Sequence, residues 1–188
     1  MNIKYALFFM APVALALTGC AHYNAQPYTV STDNQVAIKQ AAKETGASPV
    51  SLGTVTLKAG VSPDLNCRAA GPVNAAPGKT VPQYIEEALK TELYQGGIYE
   101  PNAKNRIDAQ VTALGFSSGI TDANWTMGMH LTSKSMPEGF NADIQYPFSA
   151  SFIADFACKS VADAFAPAVQ RLVNKIVSGA EFKQLIKP

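Results

Sequence analysis

The chain has 188 residues, 47% of them hydrophobic and 15% charged, with 15 Lys and Arg against 14 Asp and Glu. That length fits one domain with a substantial core. The near-neutral balance, with no long run of one sign, excludes a nucleic-acid partner, which requires a basic face.

Residues 1–19 have the three-part form of a secretory signal: Lys4 near the start, an apolar stretch from Ala6 to Leu17 broken only by Pro12, and small residues before Cys20. The apolar stretch is short of the about 20 residues that span hydrocarbon, and polar residues (His22, Asn24, Gln26) follow at once. Leu17-Thr18-Gly19-Cys20 resembles the lipobox of bacterial lipoproteins. The resemblance implies a diacylglyceryl group on the Cys20 thiol, a cut before Cys20 and acylation of the new amine. A plain cleaved signal and a single membrane helix are the alternatives. Each buried methylene contributes about 0.8 kcal/mol, and several acyl chains hold firmly where one holds marginally. Ala21 stands where the inner-membrane retention signal of such lipoproteins is Asp. The resemblance therefore implies an outer-membrane protein, anchored by lipid and facing the periplasm.

Removing the leader takes away one basic residue, Lys4, and no acidic one, so the remainder is charge-balanced. With Cys20 lipidated, Cys67 and Cys158 are left as an even pair in an exported chain, and a disulfide between them is expected. Closing that loop restricts the unfolded chain by about 4.6 kcal/mol in the chain-entropy description. Two free thiols are the alternative. No metal site is expected, since His22 and His130 are the only histidines and have no ligand spacing. No cofactor motif is present either; phosphate-cradling glycine loops are missing.

Residues 20–33 read as the lipidated N-terminus and a polar tether containing Pro27, and 34–188 as a single α+β periplasmic domain. Within it, 34–45 reads as a short helix with Asp33 as its cap and Gly46 as its stop. Val50 to Lys58 reads as a strand. The segment 59–80, with Gly60, Gly71, Gly78, Pro63, Pro72 and Pro77, reads as a long irregular loop, of the kind that is commonly functional. Thr80-Val81-Pro82-Gln83 has the capping-box pattern that opens a helix. Ile85, Ala88, Leu89 and Leu93 form that helix's apolar stripe, and Gly96-Gly97 ends it.

A short strand is expected near Ile98, then three antiparallel strands. In the first, Ile107, Ala109, Val111 and Ala113 share one parity, which switches at Leu114 and Phe116, so a bulge or twist is expected there. The second places Trp125, Met127, Met129 and Leu131 on one side. The third is read from the alternation of Ile144, Tyr146, Phe148, Ala150, Phe152, Ala154, Phe156 and Cys158, with 133–143 as a long hairpin loop. Pro147 puts one end of this strand at an edge or bulge. A last long helix, from about Val161 to Val177, takes Ser160 as its cap and is kinked or delayed by Pro167. Ser178 to Glu181 resembles a second capping box before a short terminal helix. The sum is an α+β fold: an antiparallel sheet of about four to five strands, polar on one face and covered by two main helices on the other.

Few residues point to chemistry. Gly115-Phe116-Ser117-Ser118-Gly119 matches the nucleophile elbow G-x-S-x-G, but a strand pattern follows it instead of a helix, and His130 already lies in the next strand. A β-turn of small polar residues explains the match. Glu86 and Glu87 are adjacent on a helix and diverge, so they make no catalytic pair. Trp125, Met127 and Met129 read as core, with a lining for a lipid cleft as the alternative.

Tyr84-Ile85-Glu86-Glu87-Ala88-Leu89, Gly97-Ile98-Tyr99, Ala162-Asp163-Ala164-Phe165 and Glu181-Phe182-Lys183-Gln184-Leu185 give the chain its family likeness. With the lipobox, they make it resemble the YajG-like small bacterial lipoproteins. The same plan is similar to auxiliary lipoproteins of lipid-transport systems and to the lipopolysaccharide-assembly lipoprotein. The resemblance implies no catalytic residues. The expected function is that of a non-enzymatic envelope lipoprotein binding a partner or assisting assembly or transport, with loops 59–80 and 133–143 as contact surfaces. A periplasmic carrier of lipid or a small ligand is the alternative, and a hydrolase at Ser117 a third.

Overall fold

A computed structural model of the chain describes residues 23–188. The expected leader, the expected lipidation site Cys20, and Ala21 and His22 lie outside the described residues. The first element, β1 (Tyr23–Asn24), runs parallel to β5 (Gly71–Asn74), with Tyr23 opposite Val73. β5 also pairs antiparallel with β4 (Asn66–Cys67), and a single 3-10 turn, Arg68–Ala70, joins the two. The segment 59–80, expected to be irregular throughout, thus builds a small three-stranded sheet with Tyr23 and Asn24.

The main sheet has the order β2-β6-β7-β8. β2 (Val50–Leu52) and the short β3 (Thr56–Leu57) both run parallel to β6 (Asn105–Ser117). The expected single strand Val50–Lys58 is broken around Gly53. A Cβ there would lie 2.2 Å from the Asp108 carboxylate, and two residues on Val55 N–H donates to Glu86 Oε2 at 3.0 Å instead of to the sheet. The expected strand near Ile98 is a single bridge, Tyr99 to Val50. β6, β7 (Asn124–Ser133) and β8 (Met136–Pro147) form the antiparallel part. The expected irregularity in β6 falls between Val111 and Ala113, after which Leu114 and Phe116 face Met127 and Trp125.

Two expectations at β8 are corrected. Residues 133–143 are not a long loop, because β8 already begins at Met136 and only Lys134 and Ser135 make the turn. Phe140 and Ala142 sit opposite Leu131 and Met129 on the covered face, which supplies the burial that holds this segment in the sheet. Pro137 is tolerated because β8 is an edge strand. Gly139 takes φ 65° beside a register shift, where a Cβ would lie 2.2 Å from the Leu131 carbonyl. At the other end the strand stops at Pro147 instead of running to Cys158. Residues 148–153 are irregular, and α3 (Ala154–Val177) starts well before the expected Val161, capped at Ile153 and not at Ser160. The alternation through Phe156 misleads because Ala157, Cys158, Val161, Ala162 and Phe165 also fit a helical stripe, and those are the buried residues.

α1 (Thr32–Thr45) takes Ser31 as its cap, two residues before the expected one, so Asp33 sits in the first turn instead of capping it; Gly46 ends it with φ 61°. α2 (Val81–Gln95) has the expected capping box, with Thr80 Oγ1 accepting from Gln83 N–H and Gln83 Oε1 accepting from Thr80 N–H. α4 (Ala180–Leu185) follows Gly179 without the expected side-chain cap. α3 packs on β7 and β8, and α1 and α2 pack on α3. The core between the layers is aromatic: Trp125 contacts Phe116 and Phe165 at ring separations of 5.0 and 5.1 Å, and Phe165 contacts Tyr84 at 5.1 Å. Trp125 and Phe165 are fully buried, and each such side chain contributes roughly 1.5–3 kcal/mol. The other face of the sheet is polar, carrying Asp108, Gln110, His130 and Thr132. No helix among the described residues is long and apolar enough to cross a membrane.

Candidate functional site

The segment from Tyr23 to Ser31 was expected to be a free tether, but it is fastened along its length. Ala25 N–H donates to Asn74 O at 2.9 Å, Tyr84 Oη donates to Gln26 O at 2.8 Å, and Gln170 Nε2 donates to Thr29 O at 2.7 Å. Tyr23 and Ala25 are buried. The strap ends on Glu92, a fully buried carboxylate of α2. Glu92 Oε1 accepts from Tyr28 Oη at 2.7 Å, Ser31 N–H at 2.9 Å and Asn34 Nδ2 at 3.1 Å, and Oε2 accepts from Gln35 Nε2. Burial and the neighbouring Glu92 push the Tyr28 hydroxyl far above the usual tyrosine range. Burial pushes Tyr84 up to about 12. Only the lack of a composition break between the strap and α1 hinted at this order; Glu92 itself carries no sequence signal.

At the start of the strap, Tyr23 Oη donates to Asp155 Oδ1 at 2.8 Å, and this bond holds the phenol above its usual pKa. Asp155 is in the first turn of α3, which also carries one half of the Cys67–Cys158 disulfide. The pairing expected from the cysteine count is present, with Cys158 on a helix and not on a strand, and both cysteines are buried. Next to Cys67, Arg68 has φ 50°, a left-handed conformation that a non-glycine residue adopts at a cost. Its guanidinium bridges two other segments of chain: Nη1 donates to Phe152 O at 3.2 Å, Nη2 to Ser151 O at 2.9 Å and to Ser118 O, and Nε to Ser118 Oγ at 3.2 Å. One side chain therefore fixes the loop after β6 to the loop after β8. Sequence reasoning missed Arg68, since an arginine beside a cysteine has no distinctive spacing.

The loops so fixed present apolar side chains to solvent. Phe152 is 81% exposed, Phe156 and Ile120 58%, and Ile153 56%. This cluster, the disulfide and the start of the strap share one end of the domain. The hairpin turn at Lys134 and Ser135 belongs to the other end. There Ser133 Oγ and Asn105 Nδ2 both donate to Leu185 O, at 2.8 and 3.2 Å, which seats α4.

The remaining residues singled out by sequence are not brought together. Ser117 Oγ donates to Asp122 Oδ2 at 3.1 Å and accepts from Gly119 N–H, a local turn. His130 pairs with Asn141 at 2.8 Å on the polar face of the sheet. Glu86 holds the Val55 amide and Glu87 pairs with Lys79. Trp125, Met127 and Met129 are buried in the core, with Trp125 Nε1 donating to Val161 O at 2.9 Å. Among the described residues, no group of three or more His, Cys, Asp and Glu is placed to hold a metal. A groove of about 550 Å³ lies open along the strap between Pro27, Tyr28, Lys79 and Glu87.

The fold is thus a mixed α+β arrangement of a five-stranded and a three-stranded sheet with helices packed against them. No family model and no curated protein matches the sequence. Among solved structures, the chain is similar to a Xanthomonas campestris protein of the family DUF330, with a TM-score of 0.51 and 11% identity over 87% of this chain and 95% of that one. A second structure, of an uncharacterised protein, aligns with a TM-score of 0.45 and 9% identity over 83% and 99% of the two chains. The likeness to the DUF330 protein is one of fold.

Proposed function

We propose that the chain is a non-enzymatic, lipid-anchored envelope protein of the YajG-like kind. It is held at the outer membrane through acyl groups on Cys20, faces the periplasm, and works by binding a partner or assisting assembly or transport there. The observation that carries this reading is the lipobox Leu17-Thr18-Gly19-Cys20, placed three residues before the first strapped residue, Tyr23. The charge-balanced body and its disulfide suit an oxidising compartment. The filled sheet–helix layer gives the carrier alternative little support, because Trp125, Met127 and Met129 occupy the space a lipid would need.

Intact mass of the membrane-extracted protein tests the anchor. The expected product starts at an acylated Cys20, and Cys20→Ser abolishes processing and detergent partitioning. A Cys20→Ser variant that is processed and partitions like the parent refutes the proposal. Crosslinking in intact cells followed by purification is expected to recover an envelope protein; recovery at background level removes the partner-binding part.

A further inference from the structure

The cluster of Ile120, Phe152, Ile153 and Phe156 is left without a covering element, and its place relative to the anchor identifies what covers it. We propose that this end of the domain is a membrane-seating surface, whose four apolar side chains enter the interfacial layer of the leaflet that holds the Cys20 acyl chains. The inference rests on the lipid-anchor reading above.

Three observations carry it. Cys20 precedes Tyr23 by three residues, and three residues span at most about 11 Å when extended. Since Tyr23 is fixed by β1 pairing and by its bond to Asp155, an acylated Cys20 holds this end of the domain against the bilayer. The direction of the chain agrees. β1 is parallel to β5, so the chain enters β1 from the side where β5 begins, next to the turn that carries Arg68. Arg68 in turn binds the carbonyls of Ser118, Ser151 and Phe152, which places the loops bearing Ile120, Phe152 and Ile153 beside that point. Finally, Phe152 lies just before Ile153, the cap of α3, and Phe156 lies in the first turn of the helix, so both stand at the same helix end. Their backbone is locked by the disulfide at Cys158 and by the Arg68 guanidinium, so they are presented rigidly. Phenylalanine and isoleucine set this way bury themselves at the boundary of headgroups and acyl chains. A long tether would have let the body turn freely; the strap removes that freedom.

The test uses the full chain in intact cells, with the photo-crosslinking residue benzoyl-phenylalanine replacing Phe152, or Tyr94 as a control. Both positions are well exposed, at 81% and 66%, and Tyr94 lies on α2. The expected result is a phospholipid adduct at position 152 and its loss at 94. A protein adduct at 152 overturns the proposal in favour of a partner surface, and an adduct yield at 152 no greater than at 94 overturns it outright. Intact mass of the same sample reads the state of Cys20. An acylated chain with no lipid adduct at 152 refutes the seating alone, whereas an unacylated chain with no adduct refutes the anchor reading beneath it.

Discussion

Glu92 is the buried hub on which the strap, α1 and α2 converge, and removing its carboxylate is expected to release the strap. In Glu92→Ala four donors lose their acceptor: Tyr28 Oη, Ser31 N–H, Asn34 Nδ2 and Gln35 Nε2. An orphaned buried donor costs about 1–3 kcal/mol. The four do not add in full, because Tyr28, Ser31 and Gln35 are only partly buried and regain water, and Asn34 keeps Gln170 O at 3.3 Å. The expected loss is therefore about 3–5 kcal/mol, a large share of the roughly 5–15 kcal/mol that holds a domain together. Glu92→Gln is milder, at about 1–2 kcal/mol. It keeps one acceptor oxygen, and its new amide can donate to Gln35 Oε1, which is buried without a partner, if the Gln35 amide turns over. Urea unfolding of the two variants measures the losses, and hydrogen exchange over residues 28–35 measures the release. A loss in Glu92→Ala below about 1 kcal/mol, or equal losses in the two variants, refutes the assignment of Glu92 as a hub.

Replacing both cysteines by alanine is expected to lower stability by up to about 4.6 kcal/mol, given the 91-residue separation; an unchanged urea midpoint speaks against it. Arg68→Ala is expected to cost about 1–2 kcal/mol, since the lost bonds are charge-assisted but exposed. Arg68→Gly should cost about 1 kcal/mol less, because glycine relieves the left-handed backbone; a larger loss in the glycine variant contradicts the strain at φ 50°. At alkaline pH the folded state keeps protons on Tyr84, whose pKa is near 12 against 10.0 for a free tyrosine, and on Tyr28, which is also raised. The contribution of Tyr84 is complete below the unfolded value and is lost as pH rises from about 10 toward 12, while that of Tyr28 goes on falling above that range. Phenolate absorbance and circular dichroism should therefore change together; ionisation of every tyrosine near pH 10 with the fold intact contradicts this.

Local patterns were legible where one signal dominated. The α2 capping box, the glycine stop of α1 and the inward row from Trp125 to Leu131 follow from short-range chemistry and period alone. Residues 148–158 were misread because period two and period 3.6 coincide there, and only burial separates them: Phe152 and Phe156, on the parity expected to face the core, point outward. The hairpin at Lys134 was hidden by Pro137 and Gly139, both read as turn residues, although an edge strand with a register shift accepts each. The cysteine pair was found by counting, which is indifferent to the element that carries Cys158. What the sequence did not reveal was the strap, Glu92 and Arg68, because each depends on partners far away along the chain, such as Tyr23 with Asp155 or Arg68 with Phe152.

Those long-range fastenings have a common consequence. An exposed cluster of two phenylalanines and two isoleucines on mobile loops would collapse onto the domain or recruit other chains. Here the backbone beneath it is held by bonds of three different kinds: a covalent bridge at Cys158, ion–dipole contacts from Arg68, and the strap beginning at Tyr23. None of them requires the apolar side chains themselves to be buried, so the cluster can stay outward without loss of local order. The fasteners also meet within a few residues, at Cys67 with Arg68 and at Asp155 with Cys158. Loss of any one is therefore expected to loosen the loops at 118–123 and 148–153 while the main sheet, whose pairings run elsewhere, persists. Hydrogen exchange of Arg68→Ala would show that separation, with protection lost at those loops and kept along β6 and β7. A uniform loss across the sheet would mean that this end is part of the global fold and not a separately fixed surface.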